Sequence, residues 1–295
     1  MLMQVIISLN DLTYFPFAKT QIVKTIITAV DFSPASRNAA HYGAQLALTV
    51  NAELLLINIV QVPVLITEIP VPAIVFDEMV DDSEKELLKL KDELTARVGN
   101  KIKIRTETPV GPISHILQEA AKEEHAFAIV MATDNATAFE HLFNEDHALA
   151  AIHRISIPVL IVPEQTSYKT IKKIVLAADL REPENLRPLQ LLKEWMKIFK
   201  PQLDIVNVVK KSQPKPESVS GSIALQKELE QFNPRFHFIY EDKVKEGIDE
   251  YLKQNLPDLL VTIPGKYGFF SRLFHESKSK QFIRHPLIPV LSIPG

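Results

Sequence analysis

The chain has no cysteine, which excludes disulfides, thiolate nucleophiles and thiolate metal sites together. It also has no surplus of positive charge. The formal net charge is −3, whereas a generic nucleic-acid binder is normally basic. No uninterrupted apolar run reaches the ~18 residues that a membrane span requires. The N-terminal stretch, MLMQVIISLNDLTYFPFAKT, starts apolar but has neither a basic n-region nor a small-residue cleavage site. These absences lead to the expectation of a soluble, cytoplasmic protein with no nucleic acid and no membrane among its partners. What is present suffices for two cores, since 295 residues at 46% hydrophobic content can fold as two domains.

Catalytic signatures are missing as well. There is no GxSxG elbow, no Walker loop and no HExxH. The HxGH and SGGxDS loops of adenylyl-transfer folds are also absent. Glu140, His141, Glu145, Asp146 and His147 are ligand types. However, the spacing of His141, His147 and His153 rotates each by ~240° on a helix and spreads them over different faces. Ser33 and Ser36 after Asp31 read as a helix start rather than as nucleophiles. Trp195 and Phe199 read as core packing of one helix rather than a stacking platform.

The positive signal is a repeat. Residues 257–293 run from a short apolar strand (Leu259-Leu260-Val261) through a glycine-bearing loop and a basic segment to a closing strand at Pro289–Ile293, entered through the tetrapeptide Ile288–Leu291. Residues 126–163 have the same layout and close on the same tetrapeptide, Ile157–Leu160. A strand, a glycine turn and a helix N-terminus together can receive an anion. Further upstream, TIITAV ending in Asp31 matches KIVLAA ending in Asp179. The first half reads as strand 25–30, a helix from Ser33-Pro34, strand 53–60, a proline-rich crossover over 61–82 and a helix over 83–98. Strand 101–107, a helix to about Glu124, strand 126–132, a helix from Asp146 and strand 157–162 follow. The stretch 163–170 reads as a linker, after which the order restarts, with a loop at 210–217 and a helix at 220–231. The first half is the longer, and its crossover is the simplest place for the extra length. Alternating strands and helices imply a doubly wound parallel α/β sheet in each half. The expected division is an N-terminal extension (1–20), a first domain (21–164) and a second domain (170–295).

Three stretches carry a resemblance to a known family: ITAVDFSPASRNAAHYGAQLA, VGPISHILQEAAKEEHAFAIVMAT and IPVLIV. In that order they resemble a tandem universal stress protein, from about residue 22 to 295. The resemblance implies two five-stranded parallel sheets of strand order 3-2-1-4-5, related as a pseudo-dimer along the closing strands, in a compact monomer or a homodimer. It also implies an ATP or related adenine-nucleotide site at the carboxyl ends of the strands. There the Asp after strand one touches adenine, while a Gly-x-x-Gly loop and a Gly-Ser/Thr pair hold the ribose and phosphates.

Both halves depart from this pattern. The first retains Asp31 but has Ala132, Asn135, Glu145 and Asp146 at the motif positions. A Cβ at each restricts close backbone approach. Two carboxylates also stand where phosphate belongs, and one like-charge pair at ~4 Å costs about 4 kcal/mol at an effective dielectric near 20. The second half keeps Asp179 and Gly265, with Thr262 for the first glycine, His275-Glu276 for Gly-Ser, and Ser277 next. Lys266, Arg272, Lys278, Lys280 and Arg284 accompany it, against one acid, Glu276. Lys278, Lys280 and Arg284 read equally as a solvated helix face. The functional expectation is a non-catalytic stress-response protein taking an adenine nucleotide or small anion in the second half only. The alternatives are a nucleotide-free module for a protein partner and, third, a slow ATPase. Asp31 is expected to superpose on Asp179, and Asn135 on Gly265.

Overall fold

The computed structural model describes residues 24–61, 73–133, 155–178, 180, 187–209, 216–263 and 288–295. In the first half these form β1 (Lys24–Ala29), α1 (Pro34–Val50), β2 (Ala52–Ile57), α2 (Ala73–Val98), β3 (Ile104–Glu107), α3 (Ile113–Glu123), β4 (Ala126–Thr133) and β5 (Val159–Pro163). The second half has β6 (Lys173–Ala177), α4 (Arg187–Phe199), β7 (Gln202–Val209), α5 (Pro216–Leu229), β8 (Arg235–Tyr240), α6 (Val244–Asn255), β9 (Leu259–Thr262) and β10 (Val290–Ser292). No helix among the described residues is long and apolar enough to cross a membrane.

The strands form one ten-stranded sheet in the order β3-β2-β1-β4-β5-β10-β9-β6-β7-β8. Each half is parallel within itself and has the expected order 3-2-1-4-5, the second reading backwards from the middle. At the centre β5 and β10 pair antiparallel, Val290 with Ile161, Leu291 with Leu160 and Ser292 with Val159. The two closing strands therefore meet, as their shared tetrapeptide suggested. An antiparallel junction between two parallel sheets is what a two-fold relation requires, and it removes two open edges.

Helices cover both faces, so the strands are apolar on both. Ile26, Leu54, Leu56, Val130 and Leu160 point to one core with Ile174, Leu176, Leu203, Val261 and Leu291. Ile27, Leu55, Ile129, Val159 and Ile161 point to the other with Val175, Val206, Leu260 and Val290. Both cores run across the β5–β10 junction. Trp195 of α4 is fully buried and stacks on Phe199 at 5.5 Å and on Phe127 of β4 at 5.1 Å. One aromatic column thus ties the halves together, and the core reading of Trp195 and Phe199 holds. Helix α1 begins as its sequence indicates, with Pro34 in the first turn and the Ser33 hydroxyl accepting from the Ser36 amide.

Several boundaries differ from expectation. Helix α2 starts at Ala73, well inside the expected crossover, and runs 26 residues against 14 in α5. Part of the extra length of the first half is therefore helix. No proline or glycine follows Pro72 until Gly99, so nothing breaks the helix once it has begun. Strand β2 ends at Ile57, and Val60 makes only an isolated bridge with Val110. Strand β3 starts at Ile104, and α5 starts at Pro216 and ends in a 3-10 turn, Glu230–Phe232. The linker packs on α1. The Asn38 amide donates to the carbonyls of Pro163 (3.1 Å) and Thr166 (3.0 Å). Tyr168 donates to Thr49 Oγ1 at 2.7 Å and meets Tyr42 edge-on at 5.0 Å. The expected N-terminal extension and the helices expected from Asp146 and over 277–284 lie outside the described residues.

Candidate functional site

At the carboxyl end of β1 the chain turns sharply, with Phe32 at φ 65°. Asp31 Oδ1 accepts from the Ser33 amide at 3.0 Å, and the Asp31 amide donates to Ser36 Oγ at 3.2 Å. Ser36 Oγ donates in turn to the Ser33 carbonyl at 3.1 Å. Burial acts to raise the Asp31 pKa. The hydroxyls of Ser33 and Ser36 and the Ser33 amide outweigh it, and the carboxyl is held below its ordinary value. Asp31 is thus an anionic turn residue engaged with its own helix start.

A second polar chain closes the same end of the sheet. Asn58, just past β2, donates from Nδ2 to the Val30 carbonyl at 2.7 Å. Its Oδ1 accepts from Ser83 Oγ of α2 at 2.7 Å, and Ser83 lies 3.4 Å from Thr108 Oγ1. The Val60 amide donates to the Pro109 carbonyl, and the Val60 carbonyl accepts from the Gly111 amide. Among the described residues these groups at the mouth of the first half satisfy one another, while the buried Thr28 hydroxyl of β1 has no partner among them.

The second half repeats part of this. Asn207 of β7 donates from Nδ2 to the Ala178 carbonyl at 2.9 Å, as Asn58 does to Val30. The Ala178 amide donates to the Val206 carbonyl, as the Val30 amide does to Ile57. The residue after each clamped carbonyl is Asp179 or Asp31. This asparagine pair escaped the sequence reading. Its signal was present as a lone amide side chain at the end of the second strand in both halves, in LLINIV and DIVNVV. Thr262 closes β9, is fully buried, and its hydroxyl has no hydrogen-bond partner among the described residues. The pairing of β9 with β10 and of β4 with β5 matches Thr262 to Met131 rather than Ala132. Asp179, Gly265, Lys266, His275, Glu276 and Ser277 lie outside the described residues, as do Asn135, Glu145 and Asp146, so neither expected superposition is reached. Because the halves are antiparallel, their carboxyl ends open on opposite rims of the sheet.

A charged cluster built on a buried acid sits elsewhere, at the amino end of the second half. Asp204 of β7 is fully buried. It accepts from Arg235 Nε (2.8 Å) and Nη2 (3.1 Å) and from Tyr251 OH (2.9 Å), with Lys173 Nζ at 3.2 Å. Burial would raise its pKa, but these donors hold it at about 2. Burial, and then the bond it donates to Asp204, push the Tyr251 hydroxyl up. The cluster has the character of a structural ion pair. Its donors converge on one carboxylate and leave it no role as a base.

Residues 23–163 match the family model described as Universal stress protein family. That match spans just under half of the chain. The crystal structure of a universal stress protein from Archaeoglobus fulgidus DSM 4304 is similar over 92% of this chain and 96% of its own, with TM-score 0.65 and 16% identity. That of a putative universal stress protein from Pseudomonas aeruginosa UCBPP-PA14 covers 92% and 93%, with TM-score 0.53 and 10% identity. At these identities the likeness to the universal stress proteins is one of fold. No curated protein matches the chain.

Proposed function

We propose that the chain is a tandem universal stress protein, with domains at 21–164 and 170–295, acting as a non-catalytic stress-response protein. On this reading an adenine nucleotide, ATP or a relative, or a small anion enters the second cleft only. The observation that carries the asymmetry is how each mouth uses its polar groups. In the first, Asp31, Asn58, Ser83 and Thr108 are engaged with neighbours, and the buried Thr28 hydroxyl, also without a partner among the described residues, lies packed against Gly43 of α1. In the second, the buried Thr262 hydroxyl at the strand end has no partner among the described residues, and such a group gains by meeting a ligand. The composition of the stretch that follows in sequence, with Gly265, Lys266 and Arg272, supports an anion there. Isothermal titration of ATP into the wild type, Asp179→Ala and Asp31→Ala tests this. We expect binding in the wild type and the Asp31 variant and its loss in the Asp179 variant. Loss in the Asp31 variant alone reverses the assignment, and no heat in any of the three at millimolar ATP removes the nucleotide. Phosphate release is expected not to exceed that of a heat-killed control.

One observation favours a second reading, the protein-interaction module. Phe238 and Tyr240 on the outermost strand β8 are 42% and 48% exposed, and an apolar sheet edge is a place where a partner adds on. A partner that copurifies with the wild type and is lost on Phe238→Ser supports it.

A further inference from the structure

We propose that the β8 edge is a self-association surface, where a second copy of this chain adds its own β8 antiparallel and extends the sheet across a two-fold axis. This names an occupant for the edge invoked in the second reading above and does not depend on the nucleotide reading. The ten-stranded sheet ends on β3 and β8, and the two edges are built differently. Strand β3 is a short IRTE segment with two charged residues. Strand β8 is the longer RFHFIY, without the lysine or proline that commonly blunts an edge. Counting back from the paired Asn58 and Asn207, Thr106 and Thr108 are level with Phe236 and Phe238. Thr108 faces Ser83 of α2 at 3.4 Å, whereas Phe238 and Tyr240 are 42% and 48% exposed.

The backbone decides the register. The Glu241 amide donates inward, to the Val209 carbonyl of β7. Along a strand the backbone groups of successive residues point to alternate sides, so those of Phe236, Phe238 and Tyr240 point away from β7. A two-fold axis through Phe238 sets Phe238 opposite its own copy and Phe236 opposite Tyr240. Each pair can then exchange both backbone bonds and bring aromatic side chains together on one face. The same axis sets Arg235, whose side chain is 52% exposed beyond its bonds to Asp204, opposite Glu241, an opposite-charge pair that the symmetry repeats. Moving the axis one residue toward the N-terminus sets Tyr240 opposite Pro234, which has no N–H to donate. Moving it one residue the other way sets Arg235 opposite Lys243 and Phe236 opposite Asp242. Of the three, only the axis at Phe238 suits backbone, aromatic residues and charge together. The molecule already contains one joint of this kind. At β5–β10 the last residues of the two shared tetrapeptides, Leu160 and Leu291, stand opposite each other where the sheet continues antiparallel.

The test uses the full chain without nucleotide, so its failure leaves the nucleotide reading standing. Sedimentation equilibrium is read from about 1 to 100 µM, the range of modest self-affinity. We expect the wild type to approach twice the 33.3 kDa of one chain. Phe238→Lys sets two cations against each other on the axis and should weaken the dimer by about 100-fold or more, with an unchanged circular dichroism spectrum. A wild type that stays monomeric throughout, or a dimer that Phe238→Lys leaves intact, overturns the proposal. A monomer that instead retains a different protein, lost in Phe238→Lys, also overturns self-pairing and gives the edge to a foreign partner. Because the chain has no cysteine, one introduced thiol supplies a second measurement. Under mild oxidation Phe238→Cys should form a covalent dimer, since such directly paired residues lie about 5.5 Å apart at Cα, within disulfide reach. Ile223→Cys, at an exposed position of α5, should not. No crosslink at position 238, or equal crosslinking at both positions, overturns the pairing.

Discussion

Arg105 and Arg235 occupy the same place in the two halves, at the start of the third strand, yet they meet their acids in different surroundings. Arg105 stands opposite Leu55 in the sheet, and Arg235 stands opposite Asp204. Leu55 is fully buried, so Arg105 turns to the rim, where it pairs with Glu124 and lies 3.2 Å from Glu53. Both glutamates keep 22% of their side-chain surface exposed. In the second half the acid itself is inside, with no exposed surface and with Arg235, Tyr251, Lys173 and Gln202 all donating to it. The same cation at the same register is therefore a surface pair in one half and the lid of a buried charge in the other. Water can replace a lost partner at the rim but not in the core.

The sharpest way to break this comparison is to remove each acid. Asp204→Ala leaves Arg235, Lys173 and the Tyr251 hydroxyl without their shared acceptor and should cost about 3–5 kcal/mol in urea denaturation. Glu124→Gln should cost about 1 kcal/mol or less. Equal losses would show that burial of the acid does not set the scale. Acid titration sharpens the same point. The Asp204 carboxyl is held at about 2 in the folded state, below its ordinary 3.8. Its contribution of about 2 kcal/mol is therefore fully present above about pH 4 and lost as pH falls toward 2. In Asp204→Ala that acid-dependent loss should disappear from the stability profile.

Two helix glycines make a smaller contrast. A Cβ on Gly43 of α1 would come 2.4 Å from the Thr28 hydroxyl, whereas one on Gly221 would meet the backbone of Leu180. A side chain can rotate away and a peptide carbonyl cannot. Gly221→Ala should thus cost about 1–2 kcal/mol net of the gain in helix propensity, and Gly43→Ala less, both read from thermal melts. The smallest effect expected is that of Ser83→Ala. It removes the support of Asn58 in the first half for about 1 kcal/mol and should leave ATP affinity unchanged.

Most of the ten strands were legible because they are short β-branched or leucine-rich runs between turn residues, and β8 (RFHFIY) because its aromatic residues suit a strand. The start of α1 was legible because Ser33-Pro34 is a strong local signal. The meeting of β5 and β10 followed from two copies of one tetrapeptide. The start of α2 was not legible, since Pro70 and Pro72 made the following residues look like more crossover, while proline is tolerated just before a helix. Asp204 was missed for a different reason. In QLDIVNVV it is one acid in an apolar strand, and its partners come from β6, β8 and α6, so only the fold assembles them. Of the candidate nucleotide site, Asp31 and Thr262 are described. The strand register moved the partner of Thr262 by one residue, a shift that no composition pattern encodes.

The β5–β10 pairing also bears on how the protein responds to concentration. Two separate chains that joined along such strands would associate by a second-order event and come apart on dilution. Joined within one chain, the strands face each other at an effective concentration fixed by the linker, in the millimolar range for short connections. That linker is itself docked on α1 through Asn38 and Tyr168. Expression level and dilution therefore have no purchase on this joint. The opposed directions of the halves put their carboxyl ends on opposite rims, so on the proposed reading an occupant of the second cleft would lie far from the carboxyl ends of the first half.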